Sequence, residues 1–369
     1  MSTKPLFQPL QVGPCTLAHR VVMAPLTRMR ATVPGHIANA LNAQYYAQRA
    51  SAGGLIIAEA SQVMPGGGSA NTPGIHTPEQ VEGWKGIAQA IHAKGGFVFL
   101  QLWHMGRISH SSNQPGGAPP IAPSAIAATG MTMSATGARA PFDTPRALRT
   151  DEIPVIIEAY AQAARNAMAA GFDGVEVHAA NGYLLEQFMQ SASNQRTDSY
   201  GGSIANRARL ALEVTAAVAK VCGANRVGIR LSPFGVANSS GEADPMPLYS
   251  HVIGELDKMG LAYLHLIEPR ASGAGQGEVD HQGVPSAAEL FRAAWHGVLI
   301  AAGNFKGDSA GDMVARGDAD AIAFGRLFIS NPDLPRRLQR EAALTPYNRA
   351  TFYSRGPEGY IDYPEMDAA

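Results

Sequence analysis

The densest set of chemically competent side chains lies in six residues, His178-Ala-Ala-Asn181-Gly-Tyr183. An imidazole, a carboxamide and a phenol offer hydrogen-bond donors without a fixed negative charge. Such a set suits polarising a carbonyl oxygen as charge develops on it, with the phenol placed to deliver a proton. With an unperturbed pKa near ~10, Tyr183 is protonated and competent as an acid at neutral pH. The same residues also read as a hydrogen-bonded barrel histidine followed by a helix cap. Spacing alone leaves both readings open.

A second constellation comes from two glycine-bearing segments, Ala301-Ala302-Gly303-Asn304 and Phe324-Gly325-Arg326. Glycine lets backbone N–H groups approach an anion, and arginine adds a bidentate cation. Two such segments near the end of the chain favour a phosphate grip over plain turn glycines beside a surface arginine. Arg230 stands inside the apolar run Val227-Gly-Ile-Arg-Leu-Ser232. A buried guanidinium needs an anion or a rich acceptor, and an internal carboxylate such as Glu176 would serve. Gln101, Trp103 and Thr27, taken singly, read as packing or capping residues.

Other patterns lead nowhere. Gly66-Gly-Gly68 lacks the Lys-Ser/Thr of a P-loop, and no helix opens on Gly273-Ala-Gly-Gln-Gly277. His104, His110, His178 and His265 show no i, i+4 ligand spacing and no accompanying acid, so no metal is expected. No lysine stands at a predicted strand end, which argues against Schiff-base chemistry.

These residues must be positioned by regular elements. Eight short apolar runs recur: Arg20–Ala24, Gly54–Glu59, Gly96–Trp103, Gly174–His178, Arg226–Leu231, Leu261–Ile267, Val298–Ala302 and Ala319–Phe324. Each has the length and composition of a buried parallel strand. Helical periodicity fills the intervals; Thr77-Pro78-Glu79 and Thr150-Asp-Glu-Ile-Pro154 each supply a helix start. Gly53, Gly95, Gly171, Gly223, Gly260, Gly297 and Gly317 stand where helices should stop. Eight βα units fit a closed (β/α)8 TIM barrel, although the alternation also admits an open doubly wound sheet. Two intervals are long: residues 104–149, a lid-like insertion after strand 3, and Ala179–Ala205 after strand 4. In a barrel both would rise from the C-terminal face, where active sites are built.

Composition fits this reading. The 369 residues are 46% hydrophobic and only 16% charged, which excludes disorder as the dominant state. A barrel with insertions can absorb the whole length, so one domain spanning 1–369 is expected. Lys and Arg number 29 against 30 Asp and Glu, so neither nucleic acid nor membrane is an expected partner. Cys15 and Cys222 are too few for a disulfide framework, and a reducing, cytoplasmic compartment is expected. With no apolar stretch in the N-terminal residues a secretion signal is not expected, and no apolar run approaches ~18 residues. Either a monomer or a homodimer would be compatible.

Taken together, five stretches closely resemble the Old Yellow Enzyme family, and especially its bacterial N-ethylmaleimide and pentaerythritol tetranitrate reductases. They are Met23-Ala-Pro-Leu-Thr-Arg28, Gln101-Leu-Trp-His-Met-Gly-Arg107, Gly171–Leu185, Asn194–Ser203 and Gly359-Tyr-Ile-Asp-Tyr-Pro364. The resemblance implies a barrel with non-covalent FMN at its mouth. Pro25, Thr27, Ala58 and Gln101 would line the flavin ring, and Arg230 would face its pyrimidine edge. Ala302, Gly303, Gly325 and Arg326 would hold the phosphate. It further implies an NADPH dehydrogenase or ene-reductase working by ping-pong transfer. Hydride from NADPH or NADH would pass through FMN N5 to an activated alkene: an α,β-unsaturated carbonyl, a maleimide or a nitro compound. His178 and Asn181 would bind the substrate oxygen, Tyr183 would protonate the α carbon, and Trp103 and Tyr353 would wall the pocket. Some relatives carry a tyrosine where this chain has Gly68-Ser69, which implies a wider pocket there.

Overall fold

The computed structural model describes residues 2–269 and 285–366. The Gly273–Gly277 run lies outside the described residues. Eight strands arise from the eight apolar runs: β1 (Val21–Met23), β2 (Leu55–Gln62), β3 (Phe97–Trp103), β4 (Gly174–Ala179), β5 (Val227–Leu231), β6 (Tyr263–Ile267), β7 (Leu299–Ala302) and β8 (Ala321–Phe324). They form a closed barrel. The last strand returns to the first in parallel register, Ile322 opposite Val21 and Phe324 opposite Met23. Closure rules out the open sheet and leaves no unpaired edge in the barrel. The protein is a (β/α)8 barrel.

Helices follow the strands in turn: α1 (Ala40–Arg49), α2 (Pro78–His92), α3 (Ile153–Ala169), α4 (Ile204–Cys222), α5 (Pro245–Asp257), α6 (Ala287–Phe291), α7 (Gly307–Arg316) and α8 (Leu334–Gln339). The start of α2 is fixed by a reciprocal cap, in which Thr77 accepts from Gln80 N and the Gln80 side chain accepts from Thr77 N. Six of the seven glycine stops have φ between +67° and +89°, a region where a Cβ would cost energy. Gly297 is the exception. There α6 runs into a 3-10 turn, Arg292–Ala294, and the chain is already out of the helix at Trp295.

Side chains alternate across each strand, which separates two cores. Outside the barrel, Ile56, Ala58, Leu100 and Leu102 pack against helix residues such as Trp84, Ile87 and Tyr160. Inside, an antiparallel hairpin of Leu10–Val12 and Cys15–Leu17 packs Val12, Cys15 and Leu17 against Ile57, Phe99 and Tyr263. Phe99 and Tyr263 pack at 5.6 Å between ring centres. Their rings lie over glycines: a Cβ on Gly228 would come within 2.2 Å of Tyr263, and one on Gly174 within 2.5 Å of Phe99. The floor of the site is therefore a packed layer.

The long insertion is built rather than structureless. Ile121–Ala122 pairs with Arg146–Ala147, and a hairpin joins Met131–Met133 to Arg139–Pro141. The second excursion carries a short helix, Leu184–Met189. Among the described residues, no helix is long and apolar enough to cross a membrane.

Gly228→Ala should destabilise the protein by about 1–3 kcal/mol, because the new methyl meets a ring in a filled layer. Urea unfolding of the two proteins checks this, and an unchanged midpoint would mean that Tyr263 has room to shift.

Candidate active site

The C-terminal strand ends surround a cavity of about 720 Å³, a size suited to a small molecule or cofactor. Its base is polar. Gln101, Glu176, Arg230 and His265 stand on neighbouring strands, with Glu176 opposite Gln101 and Arg230 opposite both His178 and His265. Gln101 Nε2 donates to Glu176 Oε1 at 2.7 Å, and His265 Nδ1 meets Glu176 Oε2 at 2.8 Å. Burial alone would raise the Glu176 pKa, but His265, Arg230 and Gln101 outweigh it and hold the carboxyl below its usual value. Burial is the main reason that His265 falls below its ordinary value. Both oxygens of Glu176 are thus taken by Gln101 and His265, while Arg230 acts on it through space. Arg230 Nε is buried with no partner. The guanidinium lines the cavity with acceptor demand unmet.

One wall carries the cluster singled out in the sequence. His178, Asn181 and Tyr183 all line the cavity. Burial, then Arg230 and His265, hold His178 well below its usual pKa, so the ring is neutral. Its Nδ1 is buried with no partner. Burial and the neighbouring Tyr353 push the Tyr183 phenol up to about 12, partly offset by Asn238 and Arg230. It is therefore protonated throughout the neutral range. The Tyr183 ring packs edge-on against His178 at 5.1 Å and Trp103 at 5.0 Å.

The opposite end is cationic. Gly303 has φ +141° and Asn304 φ +53°, an irregular turn directly after β7. Arg326 donates to Asn304 Oδ1 at 3.3 Å and lies 5.7 Å from the Tyr347 ring centre. Lys306 joins them on the wall.

Of the sequence-predicted residues, Pro25, Thr27, Gln101, Arg230, Ala302, Gly303, Gly325, Arg326 and Tyr353 also line the cavity. Ala58 and Trp103 do not. The pairing of β2 with β3 shifts register between Ala58 and Ser61. Ordinary alternation leaves Ala58 in the outer core with Ile56, and the irregularity after it brings Ala60 to the wall. Trp103 packs behind Tyr183 with Ala60, Met105, Ile108 and Ala128. Gly68 and Ser69 are buried away from the wall, the Ser69 N–H donating to Thr72 Oγ1. His104 accepts from Gly106 N and His110 lies beside Asp143.

Sequence reasoning missed Asn238, Lys306 and Tyr347. Asn238 Nδ2 donates to Asn181 O at 2.9 Å. Its only sequence signal was a polar residue shortly after the fifth strand.

A (β/α)8 barrel with one deep polar cavity at its strand ends is the architecture of a barrel enzyme. The family model described as "NADH:flavin oxidoreductase / NADH oxidase family" matches residues 5–345, and the chain belongs to this family, that of the Old Yellow Enzymes. The 12-oxophytodienoate reductase 1 of Oryza sativa subsp. japonica is 47% identical over 98% of this chain and 93% of its own. The 12-oxophytodienoate reductase 2 of Arabidopsis thaliana is 46% identical over 99% and 96%. Among solved structures, morphinone reductase in complex with tetrahydroNAD superposes with a TM-score of 0.91 at 48% identity, covering 98% of each chain. The Old Yellow Enzyme homologue from Zymomonas mobilis gives 0.92 at 42%, covering 98% and 99%.

Removing the buried anion should expose its role. Glu176→Gln leaves Arg230 without a counter-charge, so the flavin-free protein should lose on the order of 3 kcal/mol in urea unfolding. An unchanged stability would mean that Arg230 is satisfied without Glu176.

Proposed function

We propose that this protein is an FMN-dependent ene-reductase. It takes hydride from NADPH or NADH and reduces the activated C=C bond of α,β-unsaturated carbonyls, maleimides or nitro compounds. The observation that carries the reading is the neutral donor wall of His178, Asn181 and Tyr183 facing a cavity that also holds the unpartnered Arg230 Nε.

The residues fit FMN. Arg230 offers a cation to the electron-rich edge of a flavin, and Gln101, Pro25 and Thr27 supply a mixed polar and apolar rim. Ala302, Gly303, Gly325 and Arg326, with Lys306, form the anion-binding end suited to the phosphate. When bound, FMN supplies the two-electron hydride chemistry that no side chain here can perform. Any contact from Ala58 would come through its backbone, and Trp103 serves the substrate by holding Tyr183 edge-on.

His178 and Asn181 donate to the substrate oxygen and draw electron density away from the β carbon. A neutral imidazole keeps its donor without repelling the nearby Arg230 cation. Tyr183 gives its proton to the α carbon, and its raised pKa keeps that proton available at pH 7. Tyr353 borders the entrance. The names of the relatives, reductases of 12-oxophytodienoate and morphinone, support an enone-type substrate.

The test is the anaerobic visible spectrum of the purified protein. Flavin absorbance should bleach with NADPH and return with 2-cyclohexenone. A protein that takes up no FMN overturns the proposal. Tyr183→Phe should slow the return by about 10²-fold or more and leave the bleaching step intact. Equal loss of both half-reactions would remove Tyr183 from the proton-donor role.

A further inference from the structure

The turn that presents Asn181 and Tyr183 is unusual in its backbone. Asn181 has φ +58° and Gly182 φ +75°, two successive left-handed residues, the first of them with a Cβ. Such a conformation persists only where the surroundings over-determine it. The surroundings here converge on one buried side chain. Glu186 Oε2 accepts from Gly182 N at 2.5 Å. Its Oε1 accepts from Ser232 Oγ at 2.6 Å and from the Tyr249 hydroxyl at 2.7 Å. Ser232 Oγ in turn accepts from Asn181 N at 2.8 Å. Glu186, Ser232 and Tyr249 are all buried, on the Leu184–Met189 helix, the end of β5 and α5.

We infer that Glu186 is a positioning residue for the substrate-binding turn. Its carboxylate fixes Gly182 directly and Asn181 through Ser232. The direction of the relay follows from hydrogen-bond capacity. Ser232 has one proton, and the carboxylate claims it, so a lone pair is left for the Asn181 N–H. A carboxylate accepts at both oxygens and donates nothing, which three converging donors require. A carboxamide cannot meet that demand, because one of its two ends is itself a donor. The carbonyls of the turn are held separately, Asn181 O by Asn238 and Gly182 O by Gln187 Nε2 at 2.7 Å. Glu186 therefore controls the N–H side of the turn.

The electrostatic setting makes the device titratable. Burial pushes the Glu186 carboxyl up to about 7, against the pull of Ser232, Gly182 and Tyr249. From α5 it faces Tyr249, which also senses Glu242. From α4, Arg207 reaches the end of the short helix at Met189 O and pairs with Glu242 at 3.7 Å. Protonation of Glu186 adds a donor where three already point and removes the negative charge they share, so its hold on the turn weakens.

This inference rests on the proposed role of Asn181 as a donor to the substrate oxygen. The test uses FMN-loaded protein and 4-hydroxybenzaldehyde, whose phenolate oxygen stands in for the negative oxygen of the activated substrate. Binding is read from the change in flavin absorbance. Glu186→Gln and Ser232→Ala should each weaken phenol binding about tenfold, the size of one net hydrogen bond. FMN affinity, set at the Arg230 and phosphate end, should stay within about twofold. The double variant should be no weaker than the weaker single one, because both act through one relay. Between pH 6 and pH 8 the wild-type affinity, corrected for the ligand's own phenol ionisation, should follow the Glu186 titration, and that residual dependence should flatten in Glu186→Gln. Ser232→Ala keeps the test decisive if Glu186→Gln does not fold. Additive effects, or singles that bind phenol like the wild type, overturn the inference. Asn181→Ala separates the two claims: if it too binds phenol normally, the donor role itself fails. If it alone weakens binding, only the Glu186 assignment falls.

Discussion

A carboxylate held inside a closed barrel sets the terms for the rest of the site. Glu176 has no exposure to water, and an unpaired charge there would cost several kcal/mol. The barrel resolves this with groups from β3, β5 and β6: Gln101 and His265 by direct hydrogen bonds, Arg230 across space. Strand alternation turns all four inward, Gln101 and Glu176 in one row of the register and Arg230 and His265 in the next. Arg230 and His265 each carry a buried nitrogen with no partner, and of the two Arg230 lines the cavity. On the proposed function, a ligand with an acceptor-rich edge would complete the charge arrangement, and Gln101 and Arg230 would then serve both the ligand and the buried carboxylate.

The remaining donors depend on that arrangement. Arg230 beside His178 helps to keep the imidazole neutral and restrains the rise of the Tyr183 pKa. The far rim depends on a second arginine cluster. Arg28 donates to the carbonyls of Phe352 and Gly359, and Arg30 to those of Thr351, Gly356 and Glu358. Arg49 reaches Tyr360 O and lies 3.8 Å over the Tyr45 ring, which itself stacks on Tyr360 at 4.0 Å. These bonds tie the C-terminal segment to α1 and the end of β1, and so hold Tyr353 at the cavity entrance. Arginine suits the task because its planar fork satisfies several carbonyls at once.

Much of this was legible in the sequence because the information was local. An apolar run of five residues followed by a glycine stop identifies a buried strand and its helix without tertiary knowledge. The motif His178–Tyr183 was legible for the same reason, since strand exit and turn bring its side chains to one wall. Contacts between distant segments were not legible. Nothing in the spacing of Asn181, Glu186, Ser232, Asn238 and Tyr249 joins them; closure of β4 beside β5 does. Parity breaks at β2 after Ala58: strict alternation would turn Ala60 outward with Ile56 and Ala58, and the irregularity brings it to the wall instead. A one-residue slip of that kind reverses which side chain faces the cavity, and no composition signal marks it.

The cavity is electrically polarised along its length, and this follows from where the residue types fall among the strands. The exits of β7 and β8 bring Lys306 and Arg326, with left-handed or glycine backbone that exposes N–H groups. The exit of β4 brings only neutral donors. An elongated ligand with an anionic tail therefore has one favourable orientation, tail toward β7 and β8, and its other end is left under His178, Asn181 and Tyr183. A neutral wall is an advantage at that end. A fixed cation would stabilise an anionic product as strongly as the state that leads to it, whereas neutral donors gain most when charge is developing on the oxygen. On the proposed function, separating the anion grip from the polarising wall would let one barrel mouth bind a charged cofactor tightly and still release an uncharged product.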